Sequence, residues 1–197
     1  AFMDTFERSV ELAESITGVA CEAGLACNAL ITDMNQPIAA SLGNALEVIE
    51  VMQALTCGCD TPLSEITAAL GGEVLMDGGL VAKAEQGEDL IRAALLDGRA
   101  ATRFGRMVAA QGGPKDFAEN WARYLPVAPV IHEVKAPKSG YVAAMNGEAL
   151  GLAVVQLGGG RLVETDAVDP AVGLSDLVRL GQHVEKGEIL ARVHAAR

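Results

Sequence analysis

The sequence is poor in basic residues and has no long apolar run. Its 15 Lys and Arg are outnumbered by 26 Asp and Glu, which gives a formal net charge of −11 at pH 7. Because binding a polyphosphate requires clustered Lys and Arg, this balance argues against nucleic acid as a partner. No apolar run reaches the roughly 18 residues expected of a membrane-spanning helix, so no membrane partner is expected. A single phosphate group needs only a local site and is not excluded.

Aromatic residues are also scarce, at 4% of the chain, and cysteines number four. A chain of this length does not need disulfides for stability, so the cysteine usage indicates a reducing cytoplasm. Cys57 and Cys59 could bind a metal, but no second cysteine pair stands at zinc-finger spacing and no histidine is adjacent. We therefore expect Cys57 and Cys59 to be buried or turn cysteines rather than metal ligands.

Residues 1–126 predict an α/β architecture, because a helix followed by a strand is the αβ half of an α/β unit. An amphipathic helix is expected over 4–24, capped by Asp4 and stopped by Gly24. The apolar run at 27–34 fits a strand buried on both faces. Asn44 is a suitable N-cap for the next helix. Apolar periodicity and glycine breaks predict four more helices, at about 62–77, 86–96, 99–111 and 115–125.

The pattern changes after the prolines at 126 and 129, which mark a domain boundary. Short strands alternate with glycine turns, and one helix is expected over 147–157. Residues 127–197 therefore read as a small α+β domain. The glycines of "LGGGR" follow that helix at its carbonyl end, where no free N–H groups point outward, so they predict a helix stop rather than a phosphate cradle.

Few side chains stand in a catalytic pattern. His132, His183 and His194 have no Ser or Cys at a nucleophile spacing, so no triad is predicted and we expect surface or strand-packing histidines. Glu47 and Glu50 lie three residues apart on one predicted helix, a pattern typical of a solvated face. The loop "QPIAASLGN" just before them offers an alternative, because converging loop carbonyls and one carboxylate form a site for a hard, monovalent cation.

Three long stretches identify the family that the chain resembles. They are "ITDMNQPIAASLGNALEVIE" at 31–50, "FGRMVAAQGGPKDF" at 104–117, and "SGYVAAMNGEALGLAVVQLGGGR" at 139–161 with its continuation "DPAVGLSDLVRLGQHVEKGEILARVHA" at 169–195. The chain resembles the thymidine phosphorylase and pyrimidine nucleoside phosphorylase family. The three stretches occur in the same order as in that family, and the resemblance covers essentially the whole chain.

The resemblance implies that residues 1–126 are the second part of a large α/β lobe, in which helices surround a sheet, and that 127–197 are the C-terminal α+β domain. It also implies a homodimeric enzyme without an organic cofactor, which we expect in the cytoplasm. Members transfer the sugar of a pyrimidine nucleoside to phosphate, the co-substrate, and release the free base. It also implies a potassium site whose ligands here are the backbone carbonyls of Ile38 and Ser41 and the carboxylate of Glu50. Ile16 and Thr17 are expected in the wall of the base pocket.

The sequence departs from the family pattern in its catalytic segments. The phosphate-binding segment K-H-S-T-G-G and the lysine-containing segment D-V-K-x-G-x-G do not occur. We therefore expect a fragment that has no catalytic residue of its own and is inactive alone. Alternatives are a phosphorylase for other pyrimidine nucleosides or for AMP, and a non-catalytic binding module. A related phosphoribosyltransferase for anthranilate is disfavoured because that family lacks the C-terminal domain.

Overall fold

The computed structural model describes residue 3 and residues 5–197. In that part the helices are α1 (Phe6–Glu22), α2 (Asn44–Thr56), α3 (Pro62–Asp77), α4 (Ala84–Leu96), α5 (Arg99–Ala110), α6 (Phe117–Tyr124) and α7 (Gly147–Val154). The strands are β1 (Val130–Lys135), β2 (Gly140–Tyr141), β3 (Gly173–Ser175), β4 (His183–Val184) and β5 (Ile189–Ala195). The predicted mixed class of helix and sheet is confirmed. No helix among the described residues is long and apolar enough to cross a membrane.

The chain forms two compact units. Unit 1 comprises Ala1–Met34 and Ser64–Ala94, and unit 2 comprises Asn35–Leu63 and Leu95–Arg197. The domain boundary expected between residues 126 and 127 stays a prediction.

Helix α1 of unit 1 has well-formed ends. The side chain of Thr5 accepts a hydrogen bond from the Arg8 amide at 3.3 Å and caps the first turn. The expected Asp4 cap lies outside the described residues. At the other end Leu25 N donates to Ala20 O at 2.9 Å, and Gly24 has φ +77°. This Schellman arrangement confirms the predicted glycine stop.

The strand predicted at 27–34 is wrong. The segment has no regular secondary structure, and Leu30, Ile31 and Met34 are 41%, 43% and 48% exposed. A strand is stable only beside hydrogen-bonded neighbours, and none of the described strands pairs with this segment. The segment is instead attached to α3 by polar contacts. The Asn28 side-chain amide donates to Glu73 Oε2 at 2.9 Å and to Asp77 Oδ1 at 3.0 Å.

In unit 2, α2 packs against α5, α6 and β3. Its Met52 side chain is 0% exposed. The N-cap of α2 is Gly43 rather than the predicted Asn44, which is the first helical residue. Glu47 Oε1 accepts a hydrogen bond from Gly43 N at 3.1 Å, which satisfies one of the amides left free at a helix start.

The C-terminal strands form two antiparallel sheets. One has the order β1-β5-β3 and the other pairs β2 with β4. Val154, Leu174 and Leu177 make the buried cluster between α7 and the larger sheet. After α7 a π-helical turn over Val155–Gly159 closes at Gly158, with φ +98°. The predicted glycine stop at this position is therefore confirmed.

Cysteine usage differs from expectation. Cys57 and Cys59 are exposed and joined by a disulfide, with Cα atoms 5.3 Å apart, a separation that suits such a bond. Cys21 and Cys27 are free thiols. The described residues contain no group of three or more His, Cys, Asp or Glu that could hold a metal ion.

Candidate functional site

Ser41 and Glu50, two of the expected cation ligands, meet where the loop before α2 runs along the helix. Ser41 Oγ donates to Glu50 Oε1 at 2.7 Å. Ser41 is buried, with 6% exposure, and Glu50 is half-buried. A half-buried carboxylate beside loop oxygens is the kind of donor set that a hard cation prefers. Glu50 therefore faces the loop and does not belong to a solvated acidic face.

The third expected ligand, the Ile38 carbonyl, already has a positively charged neighbour. Arg179 Nη1 donates to Pro37 O at 2.7 Å and to Ile38 O at 3.1 Å. A carbonyl oxygen has two lone pairs, so the Ile38 oxygen keeps one acceptor position beyond the bond to Arg179. All three expected ligands offer oxygen atoms, the donor type that a hard cation takes, and their role as ligands stays a prediction.

Residues 170–180 of the C-terminal region hold this loop in place. Leu42 and Leu174 exchange backbone hydrogen bonds of 2.9 and 2.7 Å, as in an antiparallel bridge. Further bonds run from Leu177 N to Ala40 O, from Ala45 N to Pro170 O and from Leu180 N to Gln36 Oε1, each at 3.0 Å. We call residues 36–45 the cation loop and residues 170–180 the clamp segment.

The bridge between them requires two glycines. Gly43 has φ +131° and Gly173 has φ +154°, conformations that side chains with a Cβ rarely adopt. A Cβ on Gly43 would lie 2.5 Å from Val172 O, and one on Gly173 would overlap Leu42 O. The loop and clamp backbones therefore approach one another more closely than any other residue would allow.

The two expected base-pocket residues lie on α1 in unit 1. Ile16 is 54% exposed. The Thr17 hydroxyl donates to Ala13 O at 2.9 Å within its own helix. Nothing among the described contacts tests their role, and their place in a base pocket stays a prediction.

A polar cluster that the sequence did not reveal lies on β3 and β5. Ser175 Oγ is 2.9 Å from His194 Nε2 and donates to Asp176 Oδ2 at 3.0 Å. Arg192 Nη1 donates to the same Asp176 oxygen at 2.7 Å, which raises the pKa of Arg192. Ser175 and His194 are 19 positions apart along the chain and Asp176 and Arg192 are 16 apart, so strand pairing brings them together.

This cluster is not a nucleophilic triad. The carboxylate of Asp176 accepts the Ser175 proton, whereas in a triad the carboxylate orients the histidine. Because Ser175 has one proton and gives it to Asp176, we assign an Nε2–H on His194 that donates to Ser175 Oγ. The expectation of a strand-packing histidine is thus met at His194, which is 8% exposed.

Burial lowers the pKa of His194, and this predicts a pH-dependent stability. Nearby Asp176 raises that pKa in part and Arg192 lowers it. As the folded-state pKa is below the unfolded value, the unfolded chain binds more protons between the two, and stability falls as pH drops through this window. The melting temperature of the parent should fall more steeply between pH 7 and pH 5 than that of His194→Gln.

The matched control for this measurement is His132→Gln, which removes an exposed histidine from the adjacent strand β1. This variant should keep the slope of the parent. An unchanged slope in His194→Gln would contradict the assignment of the acid sensitivity to the buried imidazole.

The chain is similar to known nucleoside phosphorylases. Residues 141–197 match the model of the pyrimidine nucleoside phosphorylase C-terminal domain. The whole chain is 46% identical, over 197 residues, to a thymidine phosphorylase of Agrobacterium fabrum (strain C58 / ATCC 33970). The match covers 100% of the chain and 45% of that relative, so the chain spans less than half of the relative's length. Both the cation loop and the clamp segment lie inside the matched region.

Proposed function

We propose that this chain is the C-terminal part of a thymidine phosphorylase, because it is similar over its whole length to a member of the thymidine phosphorylase and pyrimidine nucleoside phosphorylase family. The reaction proposed for the whole protein converts thymidine and phosphate to thymine and 2-deoxyribose 1-phosphate. A phosphate oxygen forms the new bond to C1′, the bond from C1′ to the base nitrogen breaks, and the base takes a proton. The observation that carries this proposal is the 46% identity over all 197 residues.

The cation loop is the part of this chain that we assign to the active site. A potassium ion held by the Ile38 and Ser41 carbonyls and Glu50 would supply positive charge near the phosphate. The Ser41–Glu50 hydrogen bond of 2.7 Å supports that assignment, because it keeps the carboxylate directed at the loop. The homodimer and the cytoplasmic location expected from the family belong to the same proposal.

The 197-residue chain alone is proposed to be inactive. Phosphorolysis needs clustered hydrogen-bond donors for the phosphate and stabilisation of a cationic sugar in the transition state. It also needs phosphate and C1′ held in line. Neither of the two segments that provide these groups in the family occurs in the sequence, and the net charge of −11 does not favour an anion.

A hybrid protein tests the proposal directly. The part of the Agrobacterium relative that precedes the matched region is fused to this chain, and thymine release from thymidine is followed with and without phosphate. We expect phosphate-dependent turnover by the hybrid and none above the buffer rate by the 197-residue chain. Deoxyuridine and uridine, measured in parallel, differ only in the 2′ hydroxyl and report the sugar preference.

Two results would count against this function. A hybrid that folds, as judged by a cooperative melting transition, yet releases no base from any pyrimidine nucleoside would contradict the assignment. Turnover of thymidine by the 197-residue chain would contradict the inactive-fragment part of the proposal while supporting the reaction.

A further inference from the structure

Arg179 stands out because its guanidinium pairs with backbone carbonyls in a strongly acidic chain. Its Nη1 donates to Pro37 O at 2.7 Å and Ile38 O at 3.1 Å. In the described residues no carboxylate is found within ion-pair distance of this guanidinium, although the chain has 26 Asp and Glu. The side chain is half-buried, and the contacts join residues 142 and 141 positions apart. The guanidinium thus binds the backbone of the loop and does not form a surface ion pair with a described carboxylate.

Its neighbours fix Arg179 itself. The backbone amide of Arg179 donates to Gln182 Oε1 at 2.9 Å, and the next amide, Leu180 N, donates to Gln36 Oε1 at 3.0 Å. The backbone at Arg179 is therefore hydrogen-bonded both within its own turn and to the start of the cation loop. A fixed backbone limits the directions in which the guanidinium points.

We propose that Arg179 is a positioning and selectivity residue for the cation loop. Its hydrogen bonds set the direction of the Pro37 and Ile38 carbonyls, so the clamp segment determines the shape of a site to which it gives no ligand. Its positive charge, in contact with a ligand carbonyl, repels a second cation. Since Coulomb repulsion doubles for a divalent ion, the charge of Arg179 favours a monovalent ion over Ca²⁺ or Mg²⁺. The selectivity part rests on the cation site of the proposed function.

The test uses the 197-residue chain and four variants. Arg179→Gln removes the charge, and Arg179→Lys keeps the charge but loses the planar fork. Arg106→Gln is the matched control, because it removes an exposed arginine from α5 in the same unit. Glu50→Gln removes the expected carboxylate ligand. Hydrogen exchange followed by mass spectrometry measures the amide exchange rates of the cation loop. Thallium-205 NMR, with Tl⁺ as the probe for K⁺, measures ion binding.

The expected results separate positioning from selectivity. Arg179→Gln should speed exchange in residues 36–45 by about tenfold, and Arg179→Lys should lie between it and the parent. In competition with Tl⁺, the affinity for Ca²⁺ relative to the affinity for K⁺ should rise at least about tenfold in Arg179→Gln, and it should not rise in Arg179→Lys. Glu50→Gln should abolish the Tl⁺ signal, and Arg106→Gln should match the parent throughout.

Each failure has a distinct meaning. Exchange in Arg179→Gln equal to that in Arg106→Gln would overturn the positioning role. An equal rise in the relative affinity for Ca²⁺ in Arg179→Lys would overturn the charge-based selectivity, because this variant keeps the positive charge. If the parent binds no Tl⁺, the selectivity role and the cation site of this chain fail together. The exchange result still decides positioning in that case, and the hybrid assay separately decides the reaction.

Discussion

Gly173→Ala is expected to destabilise unit 2 by about 3 kcal/mol or more, the largest effect of any single methyl addition considered for the chain. Gly173 has φ +154°, which disfavours every residue with a Cβ. The new Cβ would overlap Leu42 O and lie 2.9 Å from Leu46 Cδ1 and 3.0 Å from Gly43 Cα. Because two of these atoms are backbone, no rotamer change relieves the contact. Thermal unfolding should show a melting temperature lower by roughly 6–12 °C.

Gly140→Ala is the matched control. Gly140 begins strand β2, its φ is not in the left-handed region, and a Cβ there meets nothing within 4 Å. Its melting temperature should stay within about 2 °C of the parent value. Equal melting temperatures for the two alanine variants would show that the cation loop and the clamp segment do not approach as closely as described.

Met52→Ala should cost about 2–5 kcal/mol of unfolding free energy. Met52 lies in α2 and is 0% exposed, so truncation leaves a cavity and also removes apolar surface from the interior. The packing of α2 against α5, α6 and β3 limits how far the surroundings can collapse into that space. Urea denaturation followed by circular dichroism gives the free energy, and the loss should appear as a lower midpoint with little change in slope.

Met107→Ala controls for the loss of a methionine from a helix. Met107 lies on α5 and is 46% exposed. Met and Ala have similar helix propensities, so this variant should change the unfolding free energy by less than about 1 kcal/mol. A Met52→Ala variant as stable as Met107→Ala would mean that α2 does not form the interior of unit 2.

Features determined by neighbouring residues were predictable from the sequence. Helix α3 was expected at about 62–77 and spans Pro62–Asp77, because periodicity, proline and glycine breaks act within one or two turns. Gly24 and Gly158 end their helices as expected for the same reason. At the α2 start the prediction missed by one residue. Asn44 is a good capping residue, yet Gly43 takes the cap, at a positive φ and where its backbone passes close to Val172 and Gly173.

Features determined by distant partners were not predictable. The run at 27–34 has the composition of a buried strand but no strand beside it among the described residues. Strand β3 is three residues long and owes its existence to pairing with β5. The contacts of Arg179 with the cation loop, and of Ser175 with His194, follow from tertiary structure and leave no local sequence signal. The candidate site was located through Ile38, Ser41 and Glu50 by family resemblance, and the structure added Arg179.

The bond between Arg179 and Pro37 has a consequence for the order of folding. The bond joins residues 142 positions apart, so the loop that it closes is far longer than the loop closed by any i to i+4 bond within a helix, and its closure costs more entropy per bond. During synthesis at about 5–20 residues per second, Pro37 is made roughly 7–30 seconds before Arg179. The hydrogen bonds within α2 need only residues already made in that interval, whereas the cation loop needs the clamp segment for the contacts that fix its shape. The site that depends on both segments is therefore among the last features of the protein to mature.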